Sequence, residues 1–483
     1  MGIVIKQSGW NLASTALGFL LGAVNALYLA PQFLGDTYYG LMGYILSTAF
    51  LLFPLMSFGI HNTIVKFYSR FTDKTSRDQF LTQMLLWPLL IIIPLVVVVY
   101  AFYDPIRLFI ASKNQITSDF VWAIFLIAVF QAYFEIFYAW TKVHMKTVGG
   151  NFLKEVFYRA MATVLLLLVA FEILTPVQFI YSLVLIYAVR AFLMKLLAFK
   201  TYLPKFSLGK WYGTKDLWNY TFLMIIAGSV GTSMLELDKS MINHYLNIDT
   251  ISWYNVAVFI ATVIAVPARV VAQITHPLTA GHFNRNEMGE VEQLYKRSSI
   301  NLTLISGFIL VIIVCNIHEF YELMPPEFVV GIPIVFLIAV VKFSENILGS
   351  NNAILYNSDL YRVTLWLGLL LVIIAVLLNM WLIPAYGLVG AAVATCVAYV
   401  VYAFAKAYYV YHKLHIHPWT ATTWYSIGLV ILSIVIFYFW DFSWHPILNI
   451  GIKSVMITLF YVLTLRYFNL SAELTGLFKK YVK

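Results

Sequence analysis

Long apolar runs recur along the whole chain, and they constrain its fold more than any other feature. A helix of about 20 residues crosses roughly 30 Å of hydrocarbon, and inside a bilayer each backbone amide must find its hydrogen bond within the structure. Of the 483 residues, 61% are hydrophobic and 11% are charged, which is more apolar surface than one soluble core can bury. The sequence therefore predicts an all-α, multi-pass membrane protein.

The apolar runs are separated by short polar loops, and we predict 14 transmembrane helices. Their positions are 9–31, 37–59, 80–102, 118–141, 151–172, 176–199, 216–237, 250–273, 298–318, 329–350, 361–382, 386–411, 419–440 and 446–468. The two cysteines lie inside apolar runs, where we expect them to be packing residues and where they give no information about disulfides or metal binding.

Lysine and arginine are distributed unevenly between the predicted loops. Of the 31 basic residues, 23 fall on one side, Lys406 among them, whereas Arg107, Lys113, Lys239 and Lys453 fall on the other. Cytoplasmic loops of membrane proteins retain positive charge, so this imbalance predicts that both termini are cytoplasmic.

A short internal repeat suggests that the chain consists of two similar halves. Asp36-Thr37 is followed by Pro54, and Asp249-Thr250 is followed by Pro267 at the same spacing. Each copy opens the second helix of a six-helix half, which predicts two lobes related by a pseudo-two-fold axis along the membrane normal, around a shared cavity. The predicted parts are an N-terminal lobe (1–200), a basic cytoplasmic linker (201–215), a C-terminal lobe (216–413), and two further helices with a cytoplasmic tail (414–483).

Polar residues at helical spacing form one face of several predicted spans, and we expect these faces to line a water-filled cavity. The residues are Asn11, Thr15 and Asn25 in span one, Ser229 and Ser233 in span seven, and Asn255 and Thr262 in span eight. Close helix packing through Gly18 and Gly22 is the structural alternative for span one.

Four basic residues fall inside the predicted spans, where an unpaired charge is costly and points to a function. They are Arg159, Arg190, Arg269 and Lys342. An excess of such cations predicts a cavity for an anion, because guanidinium binds phosphate oxygens through two hydrogen bonds. The structural alternatives are an ion pair of Arg159 with Glu135, an Arg269 that reaches the interface, and a Lys342 neutralised by Glu345.

The acidic residues near these spans are candidates for coupling transport to a proton or sodium gradient. They are Glu135, Glu236, Asp238 and Glu345. The sequence has no metal-ligand spacing, nucleophile motif or phosphate loop, so we expect no cofactor and no enzymatic activity. His412, His415 and His417 follow span twelve beside Lys413, which favours a solvated turn over a metal site.

Several short motifs make the chain resemble a known family of membrane proteins. These motifs are Leu34-Gly35, Tyr39-Gly40-Leu41, Leu237-Asp238-Lys239 and the segment from Leu382 to Thr395, which contains Pro384-Ala385-Tyr386-Gly387. They resemble the polysaccharide transporter family, which includes Wzx-type O-antigen flippases, of the multidrug/oligosaccharidyl-lipid/polysaccharide exporter superfamily.

The resemblance implies a flippase of the bacterial inner membrane. Its substrate would be an undecaprenyl-pyrophosphate-linked oligosaccharide, moved to the outer leaflet by alternating access of the two lobes for cell-surface polysaccharide synthesis. Its partners would be that lipid-linked glycan, membrane lipids and other polysaccharide-assembly proteins, with no nucleic acid, and we expect a monomer. A drug or metabolite exporter is the alternative within the superfamily. A membrane-embedded glycan polymerase or ligase is disfavoured because the predicted outward loops are short.

Overall fold

A computed structural model of the protein describes residues 2–207, 214–358, 360–471 and 473–476. In these ranges all regular structure is helical, which confirms the predicted fold class. The helices are α1 Gly2–Val24, α2 Ala30–Met56, α3 Ile60–Phe67, α4 Lys74–Leu86, α5 Leu89–Ala101, α6 Tyr103–Ile110, α7 Val121–Val143, α8 Val148–Phe152, α9 Tyr158–Ala170, α10 Pro176–Thr201, α11 Lys215–Tyr245, α12 Asp249–Thr262, α13 Val266–Asn284, α14 Met288–Cys315, α15 Ile317–Glu322, α16 Ile332–Ile347, α17 Asn351–Asn357, α18 Tyr361–Leu414, α19 Ala421–Phe437 and α20 Pro446–Tyr467.

Every predicted span coincides with helical structure. Nine helical segments of the described chain are each long and apolar enough to cross a membrane. Two of these, Gly9–Met56 and Arg362–Leu414, each cover almost all of two predicted spans. The predicted spans 151–172, 216–237 and 419–440 are helical but are not among the nine, so the total of 14 stays a prediction.

Glycines in the left-handed region separate successive helical stretches that are otherwise continuous. Gly35, with φ 67° and ψ 170°, breaks α2 near its beginning, and Gly387, with φ 60° and ψ −138°, divides the 54-residue α18. A side chain disfavours positive φ, so glycine is the residue that allows these breaks. Gly387 is the second residue of the span predicted at 386–411, so the break lies next to the predicted boundary and explains how two spans occupy one helix.

The helices form two compact units, Met1–Asn255 and Val256–Lys483. The first unit includes α11, which packs along α2 and α3. Phe58 of the α2–α3 turn contacts Trp218 and Phe222 of α11, and the rings of Trp87 and Trp218 stack at 4.3 Å. The boundary between the units therefore falls beyond the basic segment 201–215, part of which (208–213) lies outside the described residues. The assignment of transport lobes stays a prediction.

Candidate functional site

In the first unit, the polar face of α1 packs against the segment from α8 to α9. The Asn11 Nδ2 atom donates to Thr147 Oγ1 at 3.1 Å, and Asn151 Nδ2 donates to the Asn11 carbonyl at 3.0 Å. Further along, Asn25 Nδ2 donates to the Arg159 carbonyl at 2.8 Å. Thr15 bonds its own helix, at the Asn11 carbonyl. These hydrogen bonds join two helices, so packing accounts for much of the polarity that the sequence attributed to a cavity lining.

Gly18 lies at the closest approach of α1 to this segment. A Cβ atom at position 18 would overlap the backbone carbonyl of Glu155. Leu153–Phe157 is a π-helical turn, and Glu155 is its central residue. The contact through Gly18 is the structural alternative that the sequence had left open for span one.

Arg159 and Glu135 do not pair with each other, so the ion pair that the sequence suggested as an alternative is wrong. Arg159 Nη1 instead contacts Glu155 Oε2, one helical turn away, at 2.9 Å. Glu135 Oε1 accepts from Lys154 Nζ at 2.6 Å. Neighbouring helices alone do not fix which side chains meet, because one turn of axial shift exchanges the partners.

Glu135 and Arg190 belong to one polar cluster, which also contains the buried Gln131 and the partly exposed Lys154. The Gln131 side chain lies between them, because its Nε2 atom is 3.4 Å from Glu135 Oε1 and its Oε1 atom accepts a hydrogen bond from Arg190. At the other end of the cluster, Lys154 Nζ donates a hydrogen bond to Glu135 Oε1. The charges are thus connected through hydrogen bonds within the first unit.

Arg190 is 3% exposed and is surrounded by aromatic rings. Its guanidinium carbon lies 4.3 Å from the ring centre of Phe134 and 4.6 Å from that of Tyr187. No carboxylate of the described residues is within ion-pair distance of Arg190. Cation–π contacts and the Gln131 amide therefore hold this charge in place of an acid.

The two copies of the Asp-Thr repeat meet in the first unit. Thr37 Oγ1 donates to Asp249 Oδ1 at 2.6 Å, whereas Ser252 Oγ and Trp253 Nε1 donate to the Asp36 carboxylate at 3.2 and 2.9 Å. The start of α12 and the corresponding part of α2 are therefore joined by reciprocal hydrogen bonds.

The acids predicted for ion coupling near the end of α11 already have protein partners. Glu236 Oε2 accepts from Ser47 Oγ at 2.6 Å and from Lys239 Nζ at 3.1 Å. Asp238 is fully buried and accepts a hydrogen bond from the Tyr254 hydroxyl. The side chains of Ser229 and Ser233, which were predicted to line the cavity, lie outside the described residues.

The two polar residues predicted in span eight are placed differently from each other. Asn255 packs against α2, where its amide would overlap a Cβ atom at Gly43. Thr262 Oγ1 donates to the Phe259 carbonyl of its own helix at 2.7 Å. Their role as a cavity lining stays a prediction.

In the second unit, Arg269 and Lys342 line the same cavity, which has a volume of about 330 Å³. Five further lining residues have polar side chains, and they are Thr275, His276, Asn346, Ser350 and Asn352. Glu345 is the one acid among its described lining residues, and its Oε2 atom is 3.9 Å from Lys342 Nζ. Arg269 makes no hydrogen bond with another described residue. Two of the four predicted cations thus meet in a polar cavity with one acid.

Lys406 adds a third cation beside this cavity, and the sequence had placed it in a cytoplasmic loop. The side chain is 2% exposed, and its Nζ atom donates to Asn352 Oδ1 at 3.1 Å. It also lies 4.3 Å from the ring centre of Tyr402. The signal that could have identified it is a single lysine within the apolar run 397–411.

Lys453 was counted with the basic residues of the outward side, but it lies within a helix and not in a loop. The residue is 1% exposed within α20, where it forms an ion pair with Glu319 of α15 and donates to the Cys315 carbonyl at 2.9 Å. Within the described chain, no group of three or more His, Cys, Asp or Glu side chains could hold a metal ion.

The helical arrangement is shared with solved structures of membrane transporters. The lipid II flippase MurJ in an inward closed conformation matches with a TM-score of 0.69 at 15% identity, over 96% of this chain and 99% of that chain. A multidrug resistance MATE family transporter of the MOP superfamily, in an inward-facing conformation, matches with a TM-score of 0.64 at 10% identity, over 84% and 98%. A MOP superfamily transporter from Pyrococcus furiosus, described as having a binding pocket of reverse polarity, matches with a TM-score of 0.55 at 13% identity, over 86% and 95%.

These likenesses define the class: a multi-pass membrane protein with the fold of MOP superfamily transporters. The chain belongs to the family described as "Polysaccharide biosynthesis protein", whose model matches residues 4–280. The family resemblance found in the sequence is thereby confirmed. A comparison with curated protein sequences gives no significant match.

Proposed function

We propose that this protein is a flippase that moves an undecaprenyl-pyrophosphate-linked oligosaccharide from the cytoplasmic to the outer leaflet of a bacterial inner membrane, by alternating access. Membership of a polysaccharide biosynthesis family supports a glycan substrate. The fold shared with the lipid II flippase MurJ supports a lipid-linked one.

The observation that carries the proposal is the sign of the charge in the cavity of the second unit. Arg269 and Lys342 are two cations that line one cavity, and Glu345 is the one acid among the described lining residues. Confining like charges in a partly desolvated site is unfavourable unless an anion joins them. A pyrophosphate headgroup is such an anion, whereas an organic cation would add to the repulsion.

The residues of this cavity suggest a division of roles. The Arg269 guanidinium is suited to grip two phosphate oxygens, and the Lys342 ammonium adds a single strong donor. The side chains of Thr275, Asn346, Ser350 and Asn352 offer hydrogen bonds to sugar hydroxyls. We expect the polyprenyl tail to stay in the surrounding lipid, because its hydrocarbon gains nothing from a polar cavity.

Transport against a gradient needs an energy source, and we propose coupling to protons or sodium ions. Glu345 is the candidate acid that lies in the cavity itself. Glu135, Glu236 and Asp238 are bonded to Lys154, to Ser47 and Lys239, and to Tyr254, so a coupling role for them would require those contacts to open.

The proposal is tested by deleting the protein in its native cell and isolating the lipid-linked sugars of the cytoplasmic leaflet. We expect one undecaprenyl-pyrophosphate-linked oligosaccharide to accumulate and surface polysaccharide to be lost. Complementation with wild-type protein should restore export, and Arg269→Ala and Lys342→Ala variants present at equal levels should not. Normal surface polysaccharide combined with greater sensitivity to small toxic compounds would contradict the proposal and favour an exporter of small molecules.

A further inference from the structure

The acid of this cavity is held loosely by the cation beside it. Lys342 and Glu345 lie three residues apart on α16, and their nearest charged atoms are 3.9 Å apart. This distance is beyond that of a hydrogen bond, so the pair attracts without a direct bond. The Lys342 side chain is 9% exposed and that of Glu345 is 30% exposed, which leaves the carboxylate partly hydrated and the ammonium largely desolvated.

Several other groups are near enough to the Glu345 carboxylate to feel its charge. It interacts electrostatically with Lys406 and with the hydroxyls of Tyr356 and Tyr402. Arg269 acts on Lys342 from the opposite element, α13. Of the cations Arg269, Lys342 and Lys406, Lys342 is the one with an acid within ion-pair distance among the described residues, and that acid is Glu345.

This arrangement differs from that of a site built only for tight anion binding. Such a site gains most from unopposed cations, and an acid beside Lys342 competes with the ligand for that cation. A transporter must release its ligand as well as bind it, and each tenfold gain in affinity deepens the bound state by about 1.4 kcal/mol. A competing acid inside the site therefore has a use in transport.

We propose that Glu345 is a built-in counter-ion, which holds Lys342 in the empty cavity, is displaced by the anionic headgroup, and returns to Lys342 when the headgroup leaves. Its partial hydration allows the displaced carboxylate to move towards water. In the empty cavity Lys342 and Glu345 attract each other without a hydrogen bond. A phosphate accepts hydrogen bonds from Lys342, so replacement of Glu345 by the headgroup is favourable. The returning carboxylate lowers the affinity and speeds release. This inference rests on the proposed function, because it assumes that the cavity binds a headgroup.

The test measures binding and transport by the full-length protein with Glu345→Gln. The binding probe is undecaprenyl pyrophosphate in detergent micelles, with inorganic pyrophosphate and uncharged undecaprenol as further probes. We expect Glu345→Gln to bind undecaprenyl pyrophosphate and inorganic pyrophosphate about tenfold more tightly, after discounting the ion pair for the hydration of Glu345. Undecaprenol binding should not change. In proteoliposomes the variant should move undecaprenyl pyrophosphate more slowly than wild type when the lipid is saturating, because release becomes slower.

Two further variants show whether the effect acts through Lys342. Glu327 lies in an exposed turn of the same unit, so Glu327→Gln makes the same charge change away from the cavity and should leave affinity unchanged. In a Lys342→Met background, adding Glu345→Gln should no longer raise the affinity, since the competing pair is already absent. If Glu345→Gln protein does not fold, Glu345→Asp retains the charge on a shorter arm and should raise affinity by a smaller factor.

The possible outcomes distinguish a failure of the counter-ion role from a failure of the proposed function. Wild-type protein that binds neither pyrophosphate probe would overturn the proposed function and the counter-ion role together. Normal wild-type binding with unchanged or weaker binding in Glu345→Gln would overturn only the counter-ion role. An equal gain in undecaprenol binding would also overturn it, because that lipid carries no charge to compete with Glu345.

Discussion

Thr37 and Asp249 are 212 positions apart in the chain and are joined by a 2.6 Å hydrogen bond. Hydrogen bonds in the opposite direction complete this joint between the two segments, because Asp36 accepts from Ser252 and Trp253. Gly40 lets the helices approach, since a Cβ atom there would overlap the Ile248 carbonyl. Each half of the repeat thus supplies an acceptor to the other.

We expect Thr37→Val to lower the free energy of unfolding by about 1–2 kcal/mol, because a hydrogen bond to the Asp249 carboxylate is lost. The measurement is the unfolding midpoint of the purified protein in detergent. Thr250→Val is the matched control, because the Thr250 hydroxyl donates to the nearby Asn247 carbonyl at an exposed position. Equal losses in the two variants would contradict a special role for the joint.

Gly18→Ala should be strongly destabilising, whereas Gly9→Ala in the same helix should be neutral or slightly stabilising. A Cβ atom at position 18 meets the Glu155 backbone, and one at position 9 meets nothing within 4 Å. Alanine also has the higher helix propensity, which favours the change at position 9 by up to about 1 kcal/mol. Thermal unfolding and the yield of folded protein in detergent report the difference. A Gly18→Ala protein as stable as wild type would show that α1 does not pack as described.

Lys154→Met should destabilise the protein more than Glu135→Gln does. The Glu135 side chain is 7% exposed and that of Lys154 is 40% exposed. Removal of the lysine therefore leaves a buried carboxylate without its ion-pair partner, whereas removal of the acid leaves a lysine that can reach water. We expect losses of about 3 and about 1 kcal/mol. The unfolding midpoints of both variants decide the matter.

The Arg159–Glu155 pair provides the internal control for that asymmetry. Its side chains are 29% and 21% exposed, so Arg159→Met and Glu155→Gln should cost similar amounts. If Lys154→Met and Glu135→Gln also cost the same, the difference in burial has no energetic consequence.

Arg190→Lys should lower the stability of the protein by about 2 kcal/mol. A lysine keeps the charge, but it lacks the planar guanidinium that stacks on Phe134 and Tyr187 while donating to Gln131. Unfolding midpoints should be measured together with transport in proteoliposomes. A fully stable Arg190→Lys or Arg190→Ala protein without transport would instead show that Arg190 contacts the substrate directly.

Helix positions could be predicted from the sequence because length and apolarity act locally. The distribution of Lys and Arg then predicted on which side each loop lies. It counted Lys406 and Lys453 with the loops, although both are buried within helices, because a count of basic residues contains no information about burial. Both lysines are buried in long apolar helices, where side-chain partners from distant helices hold them.

The charge of the candidate site was easier to predict than its contacts. Arg269 and Lys342 were singled out as embedded cations, and they line one cavity. The partner of Glu135 could not be predicted, because the axial shift between helices decides whether Lys154 or Arg159 reaches it. The Asp-Thr repeat was visible in the sequence, yet its two copies are paired by tertiary packing that no local pattern encodes.

The buried pair of Lys453 and Glu319 has a consequence for biogenesis. Glu319 is synthesised long before Lys453, so its carboxylate has no ion-pair partner in the nascent protein until α20 enters the membrane. A lysine in a late helix is also costly to insert without a partner. Each charge therefore assists the integration of the other, and a chain truncated before Pro446 should be left with an uncompensated acid and be recognised by quality-control proteases.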